Sequence, residues 1–243
     1  MTSTNKPKAQ KLGDLRATDW DDEDYPKPPV ILLHGLGLTH RSMKKLADAL
    51  STHGWETLNL AYSSRRYKLE TIAAQVWSDI QTQLGDPPPR VNFVTHSTGG
   101  IIVRLLARET QIQIHRVVMI APPNQGTEWA DFIPPFWLKH LTGSAATQLS
   151  TASSSVPNQL GPISFLLGII AGNKPDNPLA PFLFSSPNDG RVSVERTKVA
   201  GMSAHLVLPY GHFYLRYMPV VIEQTLRYLE VGDFNYSSGL GKS

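Results

Sequence analysis

The chain has 243 residues, a net charge of +3 and no cysteine. That length bounds it to one generous domain, or one domain with a modest insertion. The absence of cysteine excludes a disulfide framework and a thiol nucleophile, and scattered basic residues without a Lys/Arg block argue against nucleic acid as a partner.

Residues 1–27 read as a flexible N-terminal extension: lysines, then the acidic run Asp21-Asp22-Glu23-Asp24, then prolines. This segment lacks the apolar h-region of a signal peptide. The longest apolar stretch, residues 163–171, is about half of a membrane span. The expectation is a soluble, cytoplasmic protein without a transmembrane segment.

Pro29-Val30-Ile31-Leu32-Leu33 is a continuous apolar run, as expected of a strand buried on both faces of a parallel sheet. It ends in His34-Gly35-Leu36-Gly37-Leu38. This Gly-x-Gly pair lacks the third glycine of a dinucleotide fingerprint, since His40 stands there, so a loop approaching a substrate is the better reading. A helix is expected over residues 41–51, a second strand over 55–61, and an amphipathic helix over 69–84, stopped by Asp86-Pro87-Pro88-Pro89.

Val91 to Thr95 alternates like a strand and runs into His96-Ser97-Thr98-Gly99-Gly100; a helical pattern of Ile101, Ile102, Leu105 and Leu106 follows at once. Strand, sharp turn and helix with a serine at the apex is the layout of a nucleophile elbow. The turn lifts Ser97 Oγ clear of the backbone, and the free N–H groups of the new helix point at the same spot. Thr95 stands where glycine is usual, a tight fit for a β-branched side chain. Residues 116–120 form another buried strand. The alternation from residue 29 to 120 predicts a parallel α/β sheet with right-handed crossovers, and Gly35, Ser97 and Pro122 fall on its ligand-binding C-terminal edge.

Residues 124–162 break the alternation and read as a small cap or lid insertion. Trp129, Phe132, Phe136 and Trp137 are its candidates for an apolar acyl pocket. Strands follow over 166–171 and 205–208, and a closing helix over 219–229. Between them lie the turn Asn188-Asp189-Gly190 and the loop Gly211-His212. The folded domain is taken as residues 28–232, with a C-terminal tail over 233–243.

Taken together, His34-Gly35-Leu36, Thr95-His96-Ser97-Thr98-Gly99, Asn188-Asp189-Gly190 and Gly211-His212 resemble the α/β-hydrolase superfamily, most closely its serine esterase and lipase branch. The resemblance covers residues 29–230. It implies the α/β-hydrolase fold: a mostly parallel central sheet flanked by helices, with a small cap. It also implies Ser97, Asp189 and His212, in the family's chain order, as catalytic residues, and the backbone N–H groups of Leu36 and Thr98 as an oxyanion hole. The rival acid is Asp176 and the rival base His205. His96 is expected to point away from the corner, and His34 to orient its loop.

The implied activity is hydrolysis of a small-molecule or lipid ester through an acyl-enzyme, with no cofactor and no metal, and with transient contact to a lipid surface possible. Acyl transfer on the same three residues and a non-catalytic ligand-binding role are the alternatives. Oligomeric state is not legible in the sequence.

Overall fold

The computed structural model describes residues 27–133 and 143–235. Six strands form one sheet: β1 (Val30–Leu33), β2 (Thr57–Asn59), β3 (Val91–His96), β4 (Ile114–Ile120), β5 (Leu166–Gly172) and β6 (Ala204–Leu208). All pairings are parallel, in the order β2-β1-β3-β4-β5-β6. The longer helices are α1 (Lys44–Thr52), α2 (Leu69–Leu84) and α3 (Gly99–Glu109), which follow β1, β2 and β3 in turn, and a C-terminal helix that closes the chain.

The alternation of side chains along each strand divides the core in two. Ile31, Leu33, Phe93, Val117, Met119 and Ile169 pack with residues of α2 and α3 on one face. Val30, Leu32, Val94, Val118, Ile120 and Ile170 pack on the other with α1 and the C-terminal helix. Both faces being covered explains why these strands are continuously apolar rather than alternating.

β2 is shorter than its sequence pattern suggests. It is an edge strand, and its partner β1 offers only a short register, Val30 to Leu32 against Thr57 to Asn59. Trp55 and Leu60, outside the strand, are buried instead in separate clusters on the two faces.

The described parts of the 124–162 insertion hold three short pieces. These are α4 (Glu128–Phe132), a 3₁₀ turn (Ala146–Gln148) and α5 (Val156–Gln159). A buried arginine of α3 ties the start and the end of the insertion down. Arg104 donates to the carbonyls of Asn124 (2.8 Å), Pro157 (3.0 Å) and Gly161 (2.8 Å). Loss of water around this guanidinium lowers its pKa to about 10. Two more one-turn helices, α6 (Ala180–Leu183) and α7 (Val194–Thr197), precede β6, and α8 (Pro219–Val231) is the closing helix.

The order of the strands places the site. From β1 the chain moves outward to β2, then returns across β1 to β3, so the direction of winding reverses between β1 and β3. The loops leaving the C-terminal ends of these two strands therefore diverge to opposite faces and leave a crevice between them. One carries Gly35 to Leu38; the other is Ser97.

Candidate active site

Ser97 follows the last residue of β3 and has φ 54°, a left-handed conformation unusual for a non-glycine residue. The corner is held from both sides: Ser97 N–H donates to the Ile120 carbonyl at 2.8 Å and its carbonyl accepts from Gly100 N–H at 3.0 Å. Glycines make the close approach possible. A Cβ on Gly99 would lie 2.6 Å from the Leu33 carbonyl oxygen, and one on Gly35 would lie 2.9 Å from His96 Nδ1. Thr95 is accommodated as a fully buried residue of β3, paired with Leu33 and Met119. The turn forms with Thr95 in place, its hydroxyl buried without a hydrogen-bond partner among the described residues.

His212 lies in the loop after β6, with Nε2 3.0 Å from Ser97 Oγ and Nδ1 2.8 Å from Asp189 Oδ2. The carboxylate only accepts, so Nδ1 carries the proton and the Nε2 lone pair faces the serine hydroxyl. Asp189 is fully buried. Its other oxygen accepts from the N–H groups of Arg191 (2.9 Å) and Val192 (2.8 Å), and its carbonyl accepts from His212 N–H (2.9 Å). The acid is thus fixed by its own turn, and the turn is fixed to the histidine loop. Asp176 sits beside that loop but spends Oδ2 on Phe213 N–H (3.0 Å), not on the imidazole. His205 is remote in role as well as in contact: its Nε2 meets Thr197 Oγ1 at 2.9 Å, and burial lowers its pKa to about 4.

His96 does not point away from the site. Its ring is buried, lines the cavity, and lies 4.9 Å from the His212 ring. A backbone carbonyl can only accept, so His96 Nε2–H donates to the His212 carbonyl, at 3.0 Å. Burial, then the neighbouring His212 and Arg216, hold its pKa well below the ordinary value and keep it uncharged. The absence of a Cβ at Gly35 leaves room for this ring, a close approach that no single-sequence pattern displays. His34 carries the first loop: Nδ1 lies 2.9 Å from the Gly35 carbonyl, its ring stacks on Tyr62 at 4.0 Å, and the Tyr62 hydroxyl donates to its carbonyl.

A cavity of about 230 Å³ opens at Ser97, with Leu36, Trp129, Ala130, Leu149 and Val192 among its apolar walls. Leu36 and Thr98 both border it beside Ser97. Trp129 lines it, but Phe132 does not and is 64% exposed. The buried residue of α4 is Ala130, and two residues on, about 200° around the helix, Phe132 faces the other way. Phe136 and Trp137 lie outside the described residues. Among the described residues no cluster of metal-ligating side chains occurs.

The family model for the alpha/beta hydrolase family matches residues 30–219. The chain belongs to that family. Its fold is similar to that of several solved structures. With Bacillus licheniformis lipase BlEst2 in mature form it shares 18% identity at a TM-score of 0.62, over 85% of this chain and 93% of that one. With the phospholipase PlaB from Legionella pneumophila it shares 18% at 0.68, over 86% and 60%. With the metagenomic carboxyl esterase MGS0156 it shares 17% at 0.62, over 78% and 66%. No curated protein sequence matches the chain.

Proposed function

We propose that this α/β hydrolase cleaves carboxylic esters, as an esterase or lipase, through an acyl-enzyme on Ser97. The observation that carries the reading is the unbroken chain Ser97 Oγ–His212 Nε2, His212 Nδ1–Asp189 Oδ2, at 3.0 and 2.8 Å, opening on an apolar cavity. Likeness to lipases, a phospholipase and a carboxyl esterase supports it.

A serine hydroxyl is a poor nucleophile until its proton has somewhere to go. Here His212 Nε2 takes that proton as Oγ attacks the ester carbonyl carbon, and Asp189 offsets the imidazolium charge while holding the tautomer. The carbonyl oxygen becomes an oxyanion. The N–H groups of Leu36 and Thr98 are the donors for it; neither has a hydrogen-bond partner among the described residues. Each such donor is typically worth about 3–4 kcal/mol. Collapse of the tetrahedral species breaks the C–O bond, and His212 returns the proton to the leaving alkoxide. Water then repeats the sequence on the acyl-serine: it gives a proton to His212, attacks the carbonyl and releases the acid, and Ser97 regains its proton.

The test is hydrolysis of p-nitrophenyl esters from acetate to palmitate, with the Ser97→Ala variant alongside. The cavity is below the roughly 300–1,000 Å³ of pockets for drug-sized ligands, so a Ser97-dependent maximum at short acyl chains is expected. A rate that survives Ser97→Ala on every ester overturns the reading.

A further inference from the structure

The walls of the Ser97 cavity are apolar with two exceptions in charge, Arg65 and Arg191; no aspartate or glutamate is among the described lining residues. The two arginines come from loops after β2 and after β5. In the strand order these lie on either side of β3, which carries Ser97, so the charges flank the serine. A purely apolar acyl group makes no use of a cationic wall, because it cannot replace the hydration that a partly buried guanidinium gives up.

Arg191 is built in rather than trailing into solvent. Its guanidinium sits 4.5 Å from the Trp129 ring centroid and 5.5 Å from that of Phe213. Its backbone N–H is tied to Asp189 Oδ1. Its Nε is buried with no partner. Of the two carboxylates that act on it, Asp189 is committed to His212 Nδ1 and two backbone amides, and Asp176 spends Oδ2 on Phe213 N–H. Partial burial lowers its pKa, opposed by those two carboxylates. The planar guanidinium is therefore held by aromatic stacking, with donors left over, at the wall of a site where an ester must lie.

Resting on the ester-hydrolase reading, we propose that the substrate is an ester bearing a second, anionic group, a carboxylate or a phosphate, which Arg191 binds with Arg65 assisting while Ser97 attacks the ester carbonyl. Arginine suits either oxyanion because its fork of N–H donors matches two oxygens at once. The anion contributes binding energy remote from the reacting carbon and fixes the ester's orientation, which favours kcat/KM rather than affinity alone.

The experiment compares kcat/KM within two charge pairs. The carboxylate pair is mono-(4-nitrophenyl) glutarate against 4-nitrophenyl hexanoate. The phosphate pair is 1-hexanoylglycerol 3-phosphate against 1-hexanoylglycerol. Wild type should prefer the anionic member about tenfold in at least one pair, and which pair responds identifies the group. Arg191→Met keeps the aromatic stack filled and should reduce that ratio roughly fivefold or more, Arg191→Glu should bring it below one, and Arg65→Met should lower it less. A ratio near one in both pairs, or a preference untouched in both Arg191 variants, overturns the proposal. Failure of the hydrolase reading is separable: if no ester is turned over, calorimetry on the Ser97→Ala protein decides. Tighter binding of glutaric mono-4-nitroanilide than of hexanoic 4-nitroanilide, lost with Arg191→Met, sustains the anion site; equal binding overturns it.

Discussion

The C-terminal edge of the sheet and the insertion that covers it are stabilised in different ways. The edge is apolar and close-packed: β1, β3 and β4 are buried on both faces, and Ser97 is held by backbone hydrogen bonds and by the missing side chains of Gly35 and Gly99. The described parts of the insertion are one-turn pieces; a few residues such as Ala146 and Leu149 enter the core, and polar clamps hold the rest. Arg104 reaches three of its carbonyls, Gln148 joins Glu70 and the Leu69 amide, and Asp131 takes both the amide and the hydroxyl of Thr151. The edge holds Ser97 beside His212; the insertion supplies cavity walls such as Trp129 and Leu149. On the proposed reading, chemistry would rest on the close-packed edge, and the insertion would shape part of the cavity without carrying the reacting groups.

Changes at the edge should remove turnover while sparing the fold, and changes at the clamps should do the reverse. The largest effect is expected from Asp189→Asn. The amide can leave His212 in the wrong tautomer, and kcat should fall by about 10³–10⁴ on the best p-nitrophenyl ester. The far-ultraviolet circular dichroism should stay at wild-type levels. Next comes Arg104→Met, which leaves the carbonyls of Asn124, Pro157 and Gly161 without their donor. A loss of about 3 kcal/mol, or roughly 6–12 °C in Tm, is expected by calorimetry, with new protease cleavage confined to residues 124–162.

His96→Ala tests where the two regions meet. Without the Nε2–H donor the His212 carbonyl is released. kcat should drop roughly tenfold with KM little changed, equivalent to about 1.4 kcal/mol of transition-state stabilisation. His96→Gln, whose side-chain amide can also donate, should recover part of it. If kcat is unmoved, His96 merely fills space.

The smallest effect is a pH dependence of stability from His205. Its folded pKa of about 4 lies below its ordinary 6.5, so the unfolded chain binds the proton first as the pH falls. The contribution is full above about pH 6.5 and is lost as the pH falls towards 4. After solvent screening it should amount to on the order of 1 kcal/mol, about 2–4 °C in Tm. His205→Gln should flatten Tm between pH 6.5 and 4, while a loss of stability as the pH rises through that window would contradict the assignment.

Residue patterns by themselves determined the parallel α/β architecture and the helix over Leu69–Leu84. Apolar runs, helical periodicity and turn residues are local signals with local physical causes; Ser97, Asp189 and His212 were named from motifs that resemble the α/β-hydrolase superfamily and from their chain order. His96 was read the wrong way, since the direction of its ring depends on the absence of a Cβ at Gly35, distant in sequence. Phe132 was placed in the pocket on composition alone, although the burial of Ala130 turns it outward. Arg104 and Arg191 carried no local mark. One looks like a polar interruption of an amphipathic helix, the other like a turn residue. Only tertiary structure decided that the first meets three carbonyls of the insertion and that the second stacks beside the serine. Such roles come from groups far apart in the chain sharing one volume from which water is excluded, and no sequence spacing encodes that volume.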